Sequence, residues 1–138
     1  MIQKILIDIT TTFAEGASTN GAVFLGLAGR EFRLDIAQYD DFQEGEDVTY
    51  CLGEGSNVRY PERNDPRADM PLTLEDAGRF PCYIRLEAHK AADDWELGNV
   101  RVRVIADEGK AEFAALQGSR QRIWLGPQSG DILYLRSE

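Results

Sequence analysis

The chain has 138 residues, with 15 lysine and arginine against 24 aspartate and glutamate side chains, so its formal net charge is −9 at neutral pH. This length predicts a single domain, residues 1–138, that holds a core without disulfide bridges. The acidic balance excludes a general nucleic-acid binder, because the negative field repels phosphate. No apolar run approaches the roughly 20 residues of a transmembrane segment.

The first eight residues, MIQKILID, predict a β-strand and not a signal peptide, because no continuous apolar stretch with a small-residue cleavage site is present. We therefore expect a cytoplasmic protein by default, with peripheral membrane association left open. The two cysteines, Cys51 and Cys82, are too few for a disulfide framework. We expect buried free thiols, and a bridge between them only in an oxidising compartment.

Apolar and polar residues alternate with a period of two along most of the chain, which is typical of strands buried on one face. The candidate strands are residues 5–9, 23–27, 32–36, 84–88, 100–104, 123–125 and 132–135. Turn signals such as Asn20-Gly21 separate them at short intervals. Only residues 72–78 and 111–117 could form a helical turn. The pattern predicts an all-β fold, an antiparallel sandwich or barrel.

Residues 53–71 interrupt this order with a stretch that has little periodicity and contains Pro61, Pro66 and Pro71. An irregular segment of this length is unusual inside a compact domain. We expect it to be either a functional insertion or a mobile surface excursion.

Motifs of catalysis are missing from the sequence. There is no phosphate-binding loop, no H-E-x-x-H and no G-x-S-x-G. The single histidine, His89, shares the outward face of its strand with Arg85 and Glu87, so we expect it in solvent. We predict that the chain is not an enzyme. A hydrolase that uses Asp/Glu pairs is a remote alternative, since adjacent aspartates do not place two carboxylates across a cleft.

Two acidic pairs, Asp40-Asp41 and Asp93-Asp94, stand where strands end or begin, and residues 15–21 form a third turn. If these three loops gather at one end of a sandwich, they place four carboxylates near hydroxyl, amide and backbone oxygens. Such a cluster suits a hard cation with six to eight oxygen ligands, and calcium fits flexible loops better than magnesium. The alternative is that the acidic residues are ordinary solvated turn formers.

Several segments follow one another in the order of a known family. They are TFAEGASTNGAVFLGLAG at 12–29, DDFQEG at 40–45, LEDAG at 74–78, IRLEAHK at 84–90, DDWELGNVRV at 93–102, GKAEF at 109–113 and RIWL at 122–125. Together they resemble the PLAT (lipoxygenase-homology) domain over nearly the whole chain. The resemblance implies an eight-stranded antiparallel β-sandwich that binds lipid surfaces or partner proteins and usually steers an attached enzyme.

The resemblance also implies a set of calcium ligands from the three loops. They are Gly16, Ser18 and Thr19 in the first loop, Asp40 and Asp41 in the second, and Asp93 with the Asp94 carbonyl in the third. The first loop departs from the pattern of calcium-binding members, because Gly16 stands where they often carry an aspartate and Asn20 replaces an acidic residue. The lost charge should weaken calcium binding.

Two aromatic residues, Phe13 and Trp95, are candidate contacts for a lipid or a partner. Trp95 has a second interpretation, a structural plug beneath the third loop. Burial of the Phe13 side chain alone would contribute about 1.5–3 kcal/mol of binding free energy. That is marginal for anchoring to a membrane and favours a protein partner.

Arginines at outward positions form the last pattern. Arg85, Arg101 and Arg103 fall on the polar face of their strands, and Arg120 and Arg122 lie later. They predict either a basic stripe or cross-strand ion pairs with nearby glutamates, and we favour the pairs. The expected partners are Glu87, Glu96 and Glu112.

The sequence as a whole predicts a non-catalytic module that binds lipid headgroups or a partner protein, with calcium assisting at the loop end. The alternative is a metal-free docking domain that targets or regulates a separate enzyme.

Overall fold

Nine β-strands and one short helix make up the chain in the computed structural model, which describes residues 1–138. In chain order they are β1 (Ile2–Thr11), β2 (Ala22–Leu27), β3 (Arg30–Arg33), β4 (Asp47–Gly53), α1 (Leu74–Arg79), β5 (Cys82–Glu87), β6 (Trp95–Ala106), β7 (Gly109–Ala115), β8 (Ile123–Leu125) and β9 (Ile132–Ser137).

All strand pairs are antiparallel and form two layers that share one strand. The first layer has the order β4-β1-β6-β7, and the short β8 extends the edge of β6 where β7 has left it. The second layer has the order β3-β2-β5-β9. Strand β9 pairs with β5 through Ile132–Leu135 and then with β7 through Arg136 and Ser137. The predicted all-β antiparallel sandwich is confirmed, with the three-residue β8 as a ninth strand.

The core lies between the layers and is built from the inward positions of the strands. In β1, Ile5, Ile7 and Ile9 are buried, and they alternate with half-buried polar or apolar residues. Val100, Val102 and Val104 of β6 do the same. Because successive side chains of a strand point to opposite faces, the period of two in the sequence translates directly into this core.

Of the two predicted helical turns, one is confirmed and the other is wrong. Helix α1 covers most of residues 72–78 and is capped at its N-terminus by Thr73. The Thr73 hydroxyl accepts from the Asp76 amide, and the Asp76 carboxylate accepts from the Thr73 amide. This reciprocal capping satisfies free donors of the first turn. Residues 111–117 instead lie mostly in β7, because the ladder with β6 supplies hydrogen bonds that an isolated helical turn lacks.

The irregular segment 53–71 is anchored along the outer edge of β3. The buried Asn64 side chain accepts from the Arg33 amide at 2.7 Å, and the Arg30 guanidinium donates to the backbone carbonyls of Asp65 and Ala68. These bonds occupy polar groups that an edge strand would otherwise offer to another chain. The segment therefore contacts the sandwich along the edge of β3.

Both cysteines are buried and free, as predicted. Burial raises the pKa of the Cys82 thiol to about 12, so this side chain is inert as a nucleophile. The single helix is too short to cross a bilayer, and no helix in the structure qualifies as a membrane span.

Candidate binding site at the loop end

Three loops meet at one end of the sandwich, as the sequence predicted. We call this surface the loop end; it consists of residues 12–21, 34–46 and 88–94. The Thr19 amide donates to the Phe42 carbonyl at 3.2 Å, which joins the first loop to the second. The Thr19 hydroxyl donates to Asp93 Oδ1 at 2.7 Å, which joins the first loop to the third. Thr19 therefore links all three loops.

The Asp93 carboxylate is committed to holding this junction together. The residue is 7% exposed, and while Oδ1 accepts from Thr19, Oδ2 accepts from the His89 amide at 2.7 Å. The Thr19 hydroxyl in turn accepts from the Gly21 amide. Both oxygens of this buried carboxylate therefore have hydrogen-bond donors within the protein. Asp93 thus stabilises the loop end from within.

Asp41 sits in a different environment, half-buried between a tyrosine and a second carboxyl group. Its Oδ1 accepts from the Tyr50 hydroxyl at 2.7 Å, and the Ile36 amide lies 3.3–3.4 Å from its two oxygens. Burial raises the pKa of Asp41 to about 6; the Tyr50 bond opposes the rise and the neighbouring Asp35 adds to it. Asp35 itself pairs with Arg59 at 3.0 Å.

A small pocket of about 170 Å³ opens between the first and second loops. Its acidic lining consists of Asp35, Asp40 and Asp41, and Thr19 and Asn20 line it from the first loop. Arg33 also lines it, so the pocket carries one positive side chain as well. Three carboxylates with hydroxyl and amide oxygens are the donor type that calcium takes, although no three His, Cys, Asp or Glu side chains are placed together as a metal site.

The pocket gathers only part of the predicted ligand set. Thr19, Asp40 and Asp41 line it, and Asp35, which sequence reasoning missed, joins them. Asp93 is buried at the junction of the first and third loops. The four remaining predicted ligands are not in the lining: Gly16, Ser18, Asp93 and Asp94.

Local contacts explain why Gly16 and Asp94 lie outside the pocket. The Gly16 amide donates to the Glu44 carboxylate at 3.0 Å, which ties the tip of the first loop to the second. The Asp94 side chain lies against Gly126, in the loop after β8, where it leaves no room for a Cβ. The sequence signal for Asp35 was its outward position after β3, one residue beyond Leu34.

The two candidate aromatic contacts have opposite environments. Trp95 is completely buried; its indole N–H donates to the Thr11 hydroxyl at 2.9 Å, and its ring packs edge-on to Phe42. Trp95 as a lipid or partner contact was therefore wrong, and the plug interpretation is correct. Phe13 is 87% exposed and projects from the first loop.

Of the five outward arginines that the sequence indicated, four are paired with carboxylates and do not form a free basic stripe, whereas Arg120 makes no ion pair. Arg85 makes two bonds with Glu31, at 2.8 and 2.9 Å, and Arg103 lies 3.2 Å from Asp8. The remaining pairs are longer: Arg85–Glu87 and Arg101–Glu112 at 3.7 Å, and Arg122–Glu96 at 3.9 Å. Glu31 and Asp8 were not predicted as partners, because they reach the arginines only through strand pairing.

The chain matches no protein-family model and no curated protein, but its fold matches solved structures. Alpha toxin from Clostridium absonum matches with a TM-score of 0.58 and 20% identity, over 98% of this chain and 31% of the toxin. Coral 8R-lipoxygenase, described as activated by calcium through a C2-like domain, matches with a TM-score of 0.58 and 15% identity, over 97% of this chain and 17% of the enzyme. A lipoxygenase deletion variant matches with a TM-score of 0.57 and 12% identity, over 98% and 16%.

These identities establish a shared fold and nothing finer, and the chain spans less than a third of the length of each of these proteins. The chain therefore shares its β-sandwich fold with one part of the alpha toxin and lipoxygenase chains, which fits the PLAT-like fold that the sequence motifs imply.

Proposed function

We propose that the chain is a non-catalytic binding module that contacts a lipid surface or a partner protein through the loop end. The observation that carries the proposal is the junction at Thr19, whose bonds to Phe42 and Asp93 hold three loops as one surface. Phe13 projects from that surface with 87% of its side chain in solvent. A preformed surface with an exposed aromatic residue binds at a low entropic cost.

In this proposal calcium assists the contact through the pocket between the first and second loops. Asp40 and Asp41 are the principal ligands, Asp35 contributes a third carboxylate, and Thr19 and Asn20 supply further oxygens. Bound there, the cation would offset the local negative charge and bridge to an anionic headgroup. The calcium activation described for the coral lipoxygenase, through a C2-like domain, supports this assignment.

Thermal melts in calcium and in chelator test whether the folded chain binds calcium. Millimolar calcium should raise the melting temperature of the native chain, because a ligand that binds only the folded state stabilises it. Asp41→Asn keeps the shape of the side chain and removes its charge, so the calcium-dependent rise should shrink. Asp131→Asn, an exposed aspartate outside the pocket, is the matched control and should keep the full rise.

An unchanged melting temperature of the native chain at millimolar calcium removes the metal from the proposal. A metal-free docking domain is then the better description. Two observations already favour this second candidate: Arg33 lines the pocket, and Arg59 pairs with Asp35. Both place positive charge where a cation would otherwise be needed.

Vesicle sedimentation separates a lipid surface from a protein partner. If lipid is the target, Phe13→Ser should reduce binding to anionic vesicles by about tenfold or more, since one buried phenylalanine contributes roughly 1.5–3 kcal/mol. Phe80→Ser is the control, because Phe80 is about half exposed and lies at the opposite end of the sandwich. No sedimentation of the native chain, in calcium or in chelator, would leave only the protein partner.

A further inference from the structure

An open depression of about 580 Å³ lies on the side of the sandwich where β9 passes from its pairing with β5 to its pairing with β7. Ala114, Ala115 and Leu116 form its apolar lining. Its polar lining comes from the β7–β8 loop and from β9. The side chains are Arg120, Gln121, Arg122, Tyr134 and Arg136. No carboxylate lines it, although the chain carries a net charge of −9.

The arginines of this depression differ from those of the sheet faces. Arg120 and Arg136 are exposed and make no ion pair in the structure, and Arg122 comes only within 3.9 Å of Glu96. Arg85 and Arg103, by contrast, hold carboxylates at 2.8 and 3.2 Å. Carboxylates of the protein hold the guanidinium groups of Arg85 and Arg103, whereas those of Arg120 and Arg136 are free for a ligand.

Arg136 and Tyr134 project together because they are two residues apart on β9, with the buried Leu135 between them. Tyr134 is 62% exposed, an unusual position for a large aromatic side chain. Its hydroxyl adds a neutral donor beside the guanidinium groups, and its ring adds a flat apolar wall.

The loop that carries Arg120 and Arg122 is held in place by its own hydrogen bonds. Gln121 makes two hydrogen bonds with Gly118, each at 3.0 Å. Its side-chain oxygen accepts from the Gly118 backbone amide, and its backbone amide donates to the Gly118 carbonyl. The Gln117 side-chain amide donates to the carbonyls of Val100 and Ala115. The two arginines are therefore presented on a preorganised loop.

The backbone is strained where this loop begins. Leu116 has a φ of +56°, in the left-handed region that leucine rarely adopts. Such strain persists where the surrounding structure requires it. Here it turns the chain out of β7 so that the loop lies over the depression.

We propose that this depression binds the phosphate group of a phosphomonoester, with Arg120, Arg122 and Arg136 as its ligands and the Tyr134 hydroxyl as a further donor. A guanidinium fork matches two phosphate oxygens at once, and several arginines suit a dianion better than a carboxylate. The wide mouth admits a phosphate carried on a larger molecule. The site needs no metal, and it adjoins the loop end, because Arg120 and Arg122 also line a neighbouring cavity with Phe13.

The test uses glycerol phosphate as the soluble probe and vesicles of phosphatidylcholine with phosphatidic acid as the membrane probe. Both carry the same phosphomonoester, and all measurements are made in chelator so that calcium at the loop end plays no part. Amide chemical shifts should move in residues 116–122 and in β9 as glycerol phosphate is added. Binding should weaken as salt is raised, because the contacts are exposed charges.

The variant Arg120→Gln with Arg136→Gln should weaken binding of the soluble probe by about tenfold, at roughly two- to fivefold for each exposed charge. The control, Arg63→Gln with Arg79→Gln, removes the same charge elsewhere and should bind as the native chain does. Both pairs are exposed or half-exposed, and matched melting temperatures verify that each variant folds.

The two probes distinguish the sources of the phosphate. Binding to both supports a lipid headgroup, and binding to glycerol phosphate alone supports a free phosphate ester. Binding to neither probe overturns the proposal, and so does an equal loss in the control variant. Asp41→Asn changes the loop-end pocket, which shares no lining residue with this depression, and should leave the soluble probe unaffected, so a failure of the loop-end proposal is separable from a failure here.

Discussion

Asp93 shows at the scale of one residue how a loop aspartate can stabilise a fold from inside. Its two oxygens accept from the Thr19 hydroxyl and the His89 amide, both at 2.7 Å, in a position that is 7% exposed. Its neighbour Asp94 accepts no hydrogen bond from the protein and is less buried. Two adjacent aspartates of the same motif therefore have different roles.

Asp93→Asn should destabilise the chain by about 1–3 kcal/mol. The asparagine NH₂ group would face either the Thr19 hydroxyl or the His89 amide, both of which are donors to Asp93, so one hydrogen bond is lost. Urea unfolding in chelator measures this loss. Asp94→Asn is the matched control and should change the free energy of unfolding by less than about 0.5 kcal/mol. Equal losses in the two variants would contradict the assigned role of Asp93.

Asp41 makes the stability of the folded chain fall as pH rises, whereas a carboxylate with a lowered pKa makes it fall as pH drops. Its pKa is about 6 in the folded chain against an ordinary value of 3.8. The folded state therefore binds this proton more tightly than the unfolded state does. The stability it contributes is complete below about pH 4 and is lost as pH rises through about 6.

We predict that in chelator the free energy of unfolding rises as pH falls from 7 to 5, and that Asp41→Asn flattens this rise. Asp40→Asn, in the exposed neighbour, should leave it in place. Glu31 and Asp65 do not interfere in this window, since Arg85 and Arg67 hold their pKa values below the usual range. Urea unfolding at several pH values checks the prediction. A native chain that loses stability between pH 7 and 5 would contradict it.

At the scale of elements, the join between β4 and the irregular segment requires a glycine. Gly53 has a φ of +86° and lies at the end of the β1–β4 ladder, opposite Lys4. A Cβ there would overlap the backbone carbonyl oxygen of Gln3. Gly55 has a similar φ, +74°, but faces open space.

The pair of variants Gly53→Ala and Gly55→Ala separates backbone strain from steric overlap. Gly55→Ala should cost about 1 kcal/mol, the strain of a left-handed alanine. Gly53→Ala should cost more than ~3 kcal/mol, because the backbone of β1 must also move. Chemical denaturation measures both values. Similar losses in the two variants would show that the contact with Gln3 relaxes freely.

At the scale of the molecule, stability is unevenly distributed over the two layers. Strands β1 and β6 are the longest, and each is paired on both sides through most of its length. Strand β8 has three residues and pairs only with β6. Amides in central strands exchange through larger openings than amides at an edge.

Hydrogen exchange should therefore be slowest in β1 and β6 and fastest, among the strands, in β8. Mass spectrometry of peptides after exchange in chelator measures this order. Calcium should slow exchange at residues 34–46 and leave β8 unchanged, since the proposed ligands lie in the second loop. Exchange in β6 as fast as in β8 would contradict the two-layer description of stability.

Much of the sandwich could be predicted from the amino-acid sequence, because strand geometry is regular. A period of two assigns each residue to a face, so the buried isoleucines of β1 and the valines of β6 were identifiable without a structure. The outward arginines were identifiable for the same reason. The helical interpretation of residues 111–117 was wrong because short segments take their conformation from their tertiary partners.

The sequence alone determined the fold class, the core faces and the free cysteines, because each depends on local alternation or on composition. Only the tertiary structure decided that Asp93 and Trp95 turn inward, that Asp35 joins the pocket, and which carboxylates pair with Arg85 and Arg103. Loops have no period that assigns a side chain to a face. Their orientations follow from contacts between residues far apart in the chain, which exist only once the two layers have packed.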